Sequence, residues 1–381
     1  MAATKIKNME RAYGFEEVAI VPGDVTINPD QTNTEFKIGN FTFQLPILAA
    51  AMDAAVDPNF AILMHKLGGL AVLNLDGVQA RYKNPEEILG QIVKASDKEV
   101  TTLLQKVYSE PVKEELIAER VQTIKRAGAT CAVSFIPATT KRLAQVAKEA
   151  GADIVFVQST VTTARHISKS YRGLIFSDLC DTLGLPIVVG NCVTYSAALE
   201  LMRTGISGLL VGVGPGAACT TREVLGVGVP QVTATMNCAA ARAAHFKETG
   251  KYVTLITDGG MRTGSDVCKA FASGADAVML GSIMAQAEEA PGKGYHWGMS
   301  HPHPSLPRGT RIHAGVKAPL ERLLFGPTSV TNGTENFVGA IRTAMGVCGA
   351  LTIREFQQAR MVIAPSIKTE GKFFQSIQSV C

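Results

Sequence analysis

One stretch of the chain, Val211 to Pro230 (VGVGPGAACTTREVLGVGVP), combines residue types suited to covalent chemistry. Leu209-Leu210-Val211 ends an apolar run that reads as a buried strand. Gly212, Gly214, Pro215 and Gly216 then interrupt regular structure and leave a loop with little side-chain bulk. The loop presents one thiol, Cys219, and two hydroxyls, Thr220 and Thr221. Glycines let a flat substrate or an ion approach the backbone, a thiol is a strong nucleophile, and hydroxyls hold or relay protons. The alternative is a glycine-rich turn around an inert cysteine, since free cysteine is more often core than catalyst. The loop alone supports both readings.

The rest of the chain must position that loop. Its 381 residues, 46% hydrophobic and 18% charged, are ample for a large core; one α/β barrel with insertions reaches this length, as do two domains. A net charge of +4 gives no case for nucleic acid, and no basic run is interleaved with aromatics. The eight cysteines form no C-x-x-C pair, so neither a zinc site nor a disulfide framework is expected, which favours a reducing, cytoplasmic setting. The N-terminal MAATKIKNMERAYGFEE is too polar for a signal peptide. No apolar run is long enough to span a membrane.

Two apolar runs come first, Gln44 to Ala51 and Leu70 to Leu75, separated by a helix that starts at Asp57-Pro58 and stops at Gly68-Gly69. A charged, helix-forming block follows over 84–126, expected to present a solvated face. From there one unit recurs: amphipathic helix, glycine, small residues, apolar strand. Ala127-Gly128 leads into CAVSF, Ala150-Gly151 into IVFVQ, Thr204-Gly205 into GLLVG and Ser273-Gly274 into AVML, each glycine where a helix C-cap falls. Uniformly apolar strands alternating with helices indicate a parallel sheet buried on both faces. With Leu185–Val189 and Tyr252–Ile256 the strands number about eight, enough to close a (β/α)8 TIM barrel. The rival, an open doubly wound sheet, lacks a G-x-G-x-x-G after its first strand.

A barrel of this kind works at the C-terminal ends of its strands. Those ends read Ala51-Met52-Asp53, Asn74, Gln158-Ser159-Thr160, Gly190-Asn191, the Cys219 loop, Asp258-Gly259-Gly260 and Gly281-Ser282. The last two follow the seventh and eighth strands, where this fold commonly holds phosphate. Asp258 is placed to accept from a ribose diol; the alternative is that it caps the next helix and Gly281-Ser282 is an ordinary turn. Together the ends describe a nucleoside monophosphate whose base lies over a nucleophilic thiol.

On these residues the chain resembles the IMP dehydrogenase / GMP reductase family over nearly its whole length. YGFEEVAIVPG and LPILAAAMD resemble the family's N-terminal arm and first strand, and LVGVGPGAACTTREVLGVGVPQVTA its catalytic loop. ITDGGMRTGSDVCKAFASGADAVMLGS with AEEAPG resembles its phosphate site, and ENFVGAIRTAMGVCGALTIREFQQA its C-terminal segment. The chain is most similar to short bacterial members that lack the regulatory pair of cystathionine-β-synthase-type modules; the 84–126 block occupies that place and is too short for such a pair. The resemblance implies a single barrel domain with an N-terminal arm and a flap over 300–330. It implies Cys219 as the nucleophile at purine C2, Thr221 as a proton relay, and Asp258 on the ribose. Gly259, Gly260, Gly281, Ser282 and Tyr295 would hold phosphate. Met52, Gly298, Met299 and Ser300 would lie near the base, with Gly216 also on the substrate. NAD would lie against Gln158, Ser159, Asn191, Gly212 and Gly214, with Asn191 also beside the nucleotide. The carbonyls of Gly214, Gly216 and Cys219, with Glu370, would hold a potassium ion. A homotetramer is also implied.

Three positions depart from the family pattern. Ala217 replaces a phosphate-binding serine, and Gln158 replaces the aspartate on the nicotinamide ribose. The flap, SHPHPSLPRGTRIHAG, offers Arg308 and Arg311 but no tyrosine beside them. Leu320 to Gly326 resembles the reductase segment whose glutamate, here Glu321, pairs with the loop threonine. Water activation is therefore expected from Thr221 with Glu321, the arginines positioning the flap. His296, His301, His303 and His313 are read as a solvated or base-contacting loop rather than a metal site, and Trp297 as packing on the base or flap. The first expectation is an NAD-dependent dehydrogenase acting on IMP. A GMP reductase and a non-catalytic purine nucleotide sensor are the alternatives.

Overall fold

The computed structural model describes residues 9–167, 173–298 and 311–365. Eight parallel strands close a barrel in sequential order: β1 (Ile47–Ala49), β2 (Leu70–Asn74), β3 (Ala132–Phe135), β4 (Ile154–Gln158), β5 (Ile187–Cys192), β6 (Gly208–Val211), β7 (Thr254–Asp258) and β8 (Ala277–Leu280). Closure is made by β8 on β1, where Val278 pairs with Ile47 and Leu280 with Ala49. The expected TIM barrel is therefore the fold.

Alternation along each strand divides two cores. Leu48, Val72, Ile154, Phe156, Val188, Leu210, Ile256 and Met279 fill the barrel interior. Their neighbours Ala49, Leu73, Val155, Val157, Val189, Leu209, Leu255 and Val278 face the surrounding helices. A hairpin, Phe36–Ile38 with Phe41–Phe43, adds Phe36, Ile38 and Phe43 to the interior cluster. It is tied to the start of β7 by a hydrogen bond from Thr254 Oγ1 to the Lys37 carbonyl.

Local chemistry starts and ends the helices that matter to the site. In α1 (Pro58–Lys66), Asp57 caps the Phe60 amide at 2.7 Å and Pro58 occupies the first turn, where its missing N–H costs nothing. The 84–126 block forms α2 (Pro85–Lys94), α3 (Val100–Ser109) and α4 (Glu114–Arg126). It is not simply a solvated face. Ile117, Val121 and Ile124 of α4 join the main core, while Leu89, Ile92, Leu104, Val107 and Tyr108 of α2 and α3 enclose Trp297.

Two strands run further than their apolar runs suggest. β5 continues through Gly190-Asn191-Cys192, and β7 ends at Asp258 instead of Ile256. Parallel pairing sets both, with Cys192 opposite Val211 of β6 and Asp258 opposite Met279 of β8. The polar residues at these ends thus sit on rigid strands. The β5–β6 register also shifts between Gly190 and Cys192, an irregularity of the kind that re-aims a side chain.

Candidate active site

A cavity of about 1130 Å3 opens at the C-terminal ends of the strands. It exceeds the ~300–1,000 Å3 typical of a single small-molecule pocket. Its floor is the top layer of the barrel, with Gln158, Asp258 and Met279. One wall is the Cys219 loop; opposite lie Ile136 to Ala138, Lys141, Ser159 to Thr163, His166 and Phe176. Met52, Asn191, Gly260, Gly281, Ser282, His296 and Gly298 complete it.

Seven cysteines lie among the described residues, all free, and Cys219 is the exposed one. Burial pushes the thiols of Cys131 and Cys268 up to about 12, which keeps them protonated and inert. The Cys219 thiol donates to Thr221 Oγ1 at 3.2 Å, and its amide donates to the Gly216 carbonyl at 3.0 Å. Thr221 is buried at the start of α5 (Thr221–Leu225), so the hydroxyl beside the sulfur is held by a helix.

Asp258 is a half-buried carboxylate of the cavity lining. Burial raises it from 3.8 to about 6, opposed by the hydrogen bond from Asn191 Nδ2 to Oδ2 at 2.7 Å. Among the described residues no other donor reaches this carboxylate, which leaves acceptor capacity facing the cavity. The chain then turns through Gly259 and Gly260, at φ of +81° and +80°, a conformation that favours glycine. Gln231, at the start of α6 (Gln231–Thr249), holds this corner from behind. Its Nε2 donates to the Val211 carbonyl at 3.1 Å and the Asp258 carbonyl at 3.0 Å, tying the ends of β6 and β7 together.

Ser282 Oγ lies 3.1 Å from His296 Nε2, and burial lowers the pKa of that imidazole. His296 belongs to a two-stranded hairpin, Tyr295–His296 with Ile312–His313. Successive side chains of a strand point to opposite faces, so with His296 in the cavity wall Tyr295 is turned away.

The family model for the IMP dehydrogenase / GMP reductase domain matches residues 12–300. An uncharacterized oxidoreductase of Mycolicibacterium smegmatis is 36% identical over 366 residues, 94% of this chain and 98% of that protein. The inosine-5'-monophosphate dehydrogenase of Cryptosporidium parvum is 27% identical, covering 92% and 91% of the two chains. The crystal structure of an IMP dehydrogenase/GMP reductase-like protein from Corynebacterium glutamicum superposes with a TM-score of 0.89 at 33% identity, covering 94% of this chain and 96% of that one. The chain belongs to the IMP dehydrogenase / GMP reductase family. It is thereby a member of an oxidoreductase family.

Within that family frame the structure brings together most of the expected residues. Cys219, Thr221, Asp258, Gly259, Gly260, Gly281, Ser282, Met52, Asn191, Gly212, Gly214, Gly216, Gln158, Ser159 and Gly298 all line one cavity. Met299, Ser300, Arg308 and Glu370 lie outside the described residues. So do His301 and His303; among the described residues no cluster of three or more His, Cys, Asp or Glu could hold a metal. Of the three carbonyls expected to bind potassium, that of Gly216 already accepts the Cys219 amide.

Four residues sit differently from expectation. Tyr295 does not line the cavity: its ring packs at 4.5 Å on His313, with the Arg311 guanidinium 4.4 Å from its centroid. Arg311 is pinned away from the thiol, donating to the Ile92 and Val93 carbonyls at 2.6 and 3.0 Å and to Asp97 at 2.9 Å. These are the orphan acceptors at the C-terminus of α2, which attract a cation. Glu321 stands exposed on α7 (Leu320–Phe325) and does not line the cavity, because Leu320, Leu323 and Leu324 take the buried face of that helix. Gln158 does line the cavity, and its Oε1 also accepts from Ser134 Oγ at 3.0 Å inside the barrel. Trp297 lies outside the cavity lining, inside the α2–α3 cluster, its Nε1 donating to Tyr108 at 2.8 Å.

Residue types and spacing did not expose Gln231, Lys141 or the pairing of Trp297 with Tyr108. Each owes its position to an element distant in sequence, and the one available signal was the polar Gln231 immediately after Pro230 at a helix start.

Proposed function

We propose that this chain is an NAD-dependent IMP dehydrogenase. The observation that carries the reading is the exposed Cys219 thiol sharing one cavity with the spare acceptor capacity of Asp258 and with the Gly260, Gly281 and Ser282 wall. In this reading Asp258 accepts the ribose hydroxyls, Gly260, Gly281 and Ser282 surround the phosphate, and the base lies against Met52 and Cys219. The sulfur adds to C2 of hypoxanthine, and the C2 hydrogen leaves with its electron pair as hydride. NAD supplies the hydride acceptor, and the wall from Ile136 to Lys141 and Ser159 to His166 leaves room for it beside the thiol. Water then cleaves the thioimidate, returning the thiol and leaving oxygen on C2, which yields XMP. Thr221, hydrogen-bonded to the sulfur, is placed to pass the protons.

A GMP reductase is the second reading, favoured by a specific observation. Arg311 is committed to α2 carbonyls, so it does not stand at the thiol to activate water. Reductive loss of ammonia needs no attacking water. A potassium ion on the loop carbonyls and a homotetramer remain proposals that accompany either reading.

The test is to incubate the purified protein with IMP and NAD, and separately with GMP and NADPH, following the absorbance of the reduced nicotinamide. The dehydrogenase reading expects growth of that absorbance with the first pair, abolished in Cys219→Ala. Consumption of NADPH with GMP alone assigns the reductase. Silence with both pairs, with nucleotide still bound, overturns both.

A further inference from the structure

Three large side chains follow one another on the hairpin beside Ser282: Tyr295, His296 and Trp297. The outer two are held by the 84–126 block. Tyr295 lies against the Arg311 guanidinium, which is bonded to the last carbonyls of α2, and Trp297 donates to Tyr108 of α3. The middle side chain is therefore turned the other way, into the cavity wall. His296 is only 1% exposed, so its imidazole is fixed in place by what surrounds it.

The two ring nitrogens of His296 stand in different surroundings. Nε2 lies 3.1 Å from Ser282 Oγ, while Nδ1 is sealed in protein with no partner among the described residues. Burial lowers the pKa of the ring, so near neutral pH it carries a single N–H, on one nitrogen or the other. On Nδ1 that proton would be an orphaned buried donor; on Nε2 it has Ser282 to bond. Unpaired buried N–H groups are rarer in folded proteins than unpaired buried acceptors. The sealing of Nδ1 thus selects the form in which Nε2 donates and Ser282 Oγ accepts.

That choice sets what Ser282 offers to a ligand. A serine hydroxyl has one proton to donate, and among the described residues Ser282 Oγ has no hydrogen-bond partner besides His296. With its oxygen accepting from Nε2, the hydroxyl proton is free to point into the cavity, toward an anion. In the other tautomer that proton would be spent on Nε2, and the cavity would meet only oxygen lone pairs, which repel an anion.

We propose that His296 is a positioning residue for phosphate recognition: its imidazole, held with the proton on Nε2, turns the Ser282 hydroxyl into a dedicated donor for the phosphate of a nucleoside monophosphate. The inference rests on the reading of Ser282 as part of the phosphate wall. It goes beyond that reading in naming what makes the hydroxyl favour an anion. It also gives the 84–126 block a part in the site, through its hold on Tyr295 and Trp297.

Two measurements test it, the first without ligand. In isotope-labelled wild-type protein, the imidazole nitrogen NMR signals that vanish in His296→Phe belong to His296. Near neutral pH they should show a protonated Nε2 and a bare Nδ1. The opposite tautomer overturns the proposal while leaving the phosphate wall standing. The second measurement compares the Kd of IMP with that of inosine by calorimetric titration. His296→Phe, which keeps a ring and loses the donor, should weaken IMP about tenfold and leave inosine nearly unchanged. His296→Gln, which offers a donor at similar reach, should recover most of that loss. In a Ser282→Ala background His296→Phe should cost no further affinity, because the imidazole acts through the hydroxyl. An equal loss for IMP and inosine, or a loss additive with that of Ser282→Ala, overturns the proposal. Should His296→Phe not fold, His296→Gln supplies the signal assignment and the tautomer decides. Wild-type protein that binds IMP no more tightly than inosine overturns the phosphate reading itself, and this inference with it.

Discussion

Two carboxylates near the top of the barrel, Asp258 and Asp53, share one electrostatic property and differ in everything else. Burial raises both from 3.8 to about 6. Asp258 has one partner, Asn191, and lines the cavity. Asp53 is saturated: the Val78 amide donates to it at 3.0 Å, Asn74 Nδ2 at 3.5 Å, and the Tyr108 hydroxyl also donates, itself accepting from Trp297. Asp53 thereby joins the loop after β1 to α3 and to the hairpin that carries His296. The pair teaches that a perturbed pKa does not by itself mark a binding group. Spare acceptor capacity facing a cavity does.

The comparison is sharpest under the same isosteric change. At Asp258 the largest effect is expected on ligand affinity. Asp258→Asn weakens a charge-assisted bond to the ribose, and Asp258→Ala removes it, worth about 1.5–3 kcal/mol, or roughly ten- to a hundredfold in Kd by calorimetric titration. The free protein should be no less stable in Asp258→Asn, because an amide escapes the burial cost of a charge, about 2–3 kcal/mol for this shift. Asp53→Asn should do the reverse. With its oxygen kept by Val78 and Tyr108, which both donate to Oδ2, its amide nitrogen would face the Asn74 Nδ2 donor, and denaturant unfolding should show a loss of about 1–3 kcal/mol. Nucleotide affinity should change there by less than threefold. Equal behaviour of the two variants would break the distinction.

A pH series tests the shared property. A carboxyl raised on folding holds a proton that the unfolded chain releases. Its contribution to stability is therefore fully present below the ordinary value of 3.8 and is lost as pH rises through about 6. Unfolding free energy of the ligand-free protein should fall over that window, and each Asp→Asn variant should flatten part of the fall. Inosine, which has no phosphate to titrate, should bind more weakly as pH drops below about 6, when Asp258 becomes protonated. An affinity independent of pH there removes Asp258 from the ribose.

The smallest effect belongs to the anchors on α2 and α3. Tyr108→Phe removes one hydroxyl between Asp53 and Trp297, and about 0.5–1.5 kcal/mol of stability should go with it. Arg311→Met should cost a similar amount while leaving Cys219 alkylation at the wild-type rate, since its guanidinium is bound to Ile92, Val93 and Asp97. A slowed Cys219 in that variant would show that the helical block reaches the thiol after all.

Much of this molecule was determined by the order of its residues alone. Apolar runs such as Ile154–Gln158 and Ala277–Leu280, each following a helix-ending glycine, dictate buried parallel strands because only such strands hide apolar side chains on both faces. Their number dictates the barrel, and the barrel places Cys219, Asp258 and Gly281 at one end of it. These are local or periodic properties, written in neighbouring residues. Tertiary structure alone decided what each polar group had left to bind. Tyr295 and His296 are adjacent in the chain, yet one joins Arg311 and the other the cavity, because a strand presents its neighbours to opposite sides. Glu321 lost its expected place because three leucines claimed the buried face of its helix. Asp53 met its partners Asn74, Val78 and Tyr108 across separations of 21, 25 and 55 residues. No spacing rule spans such distances, since those contacts follow from how helices pack on the closed barrel.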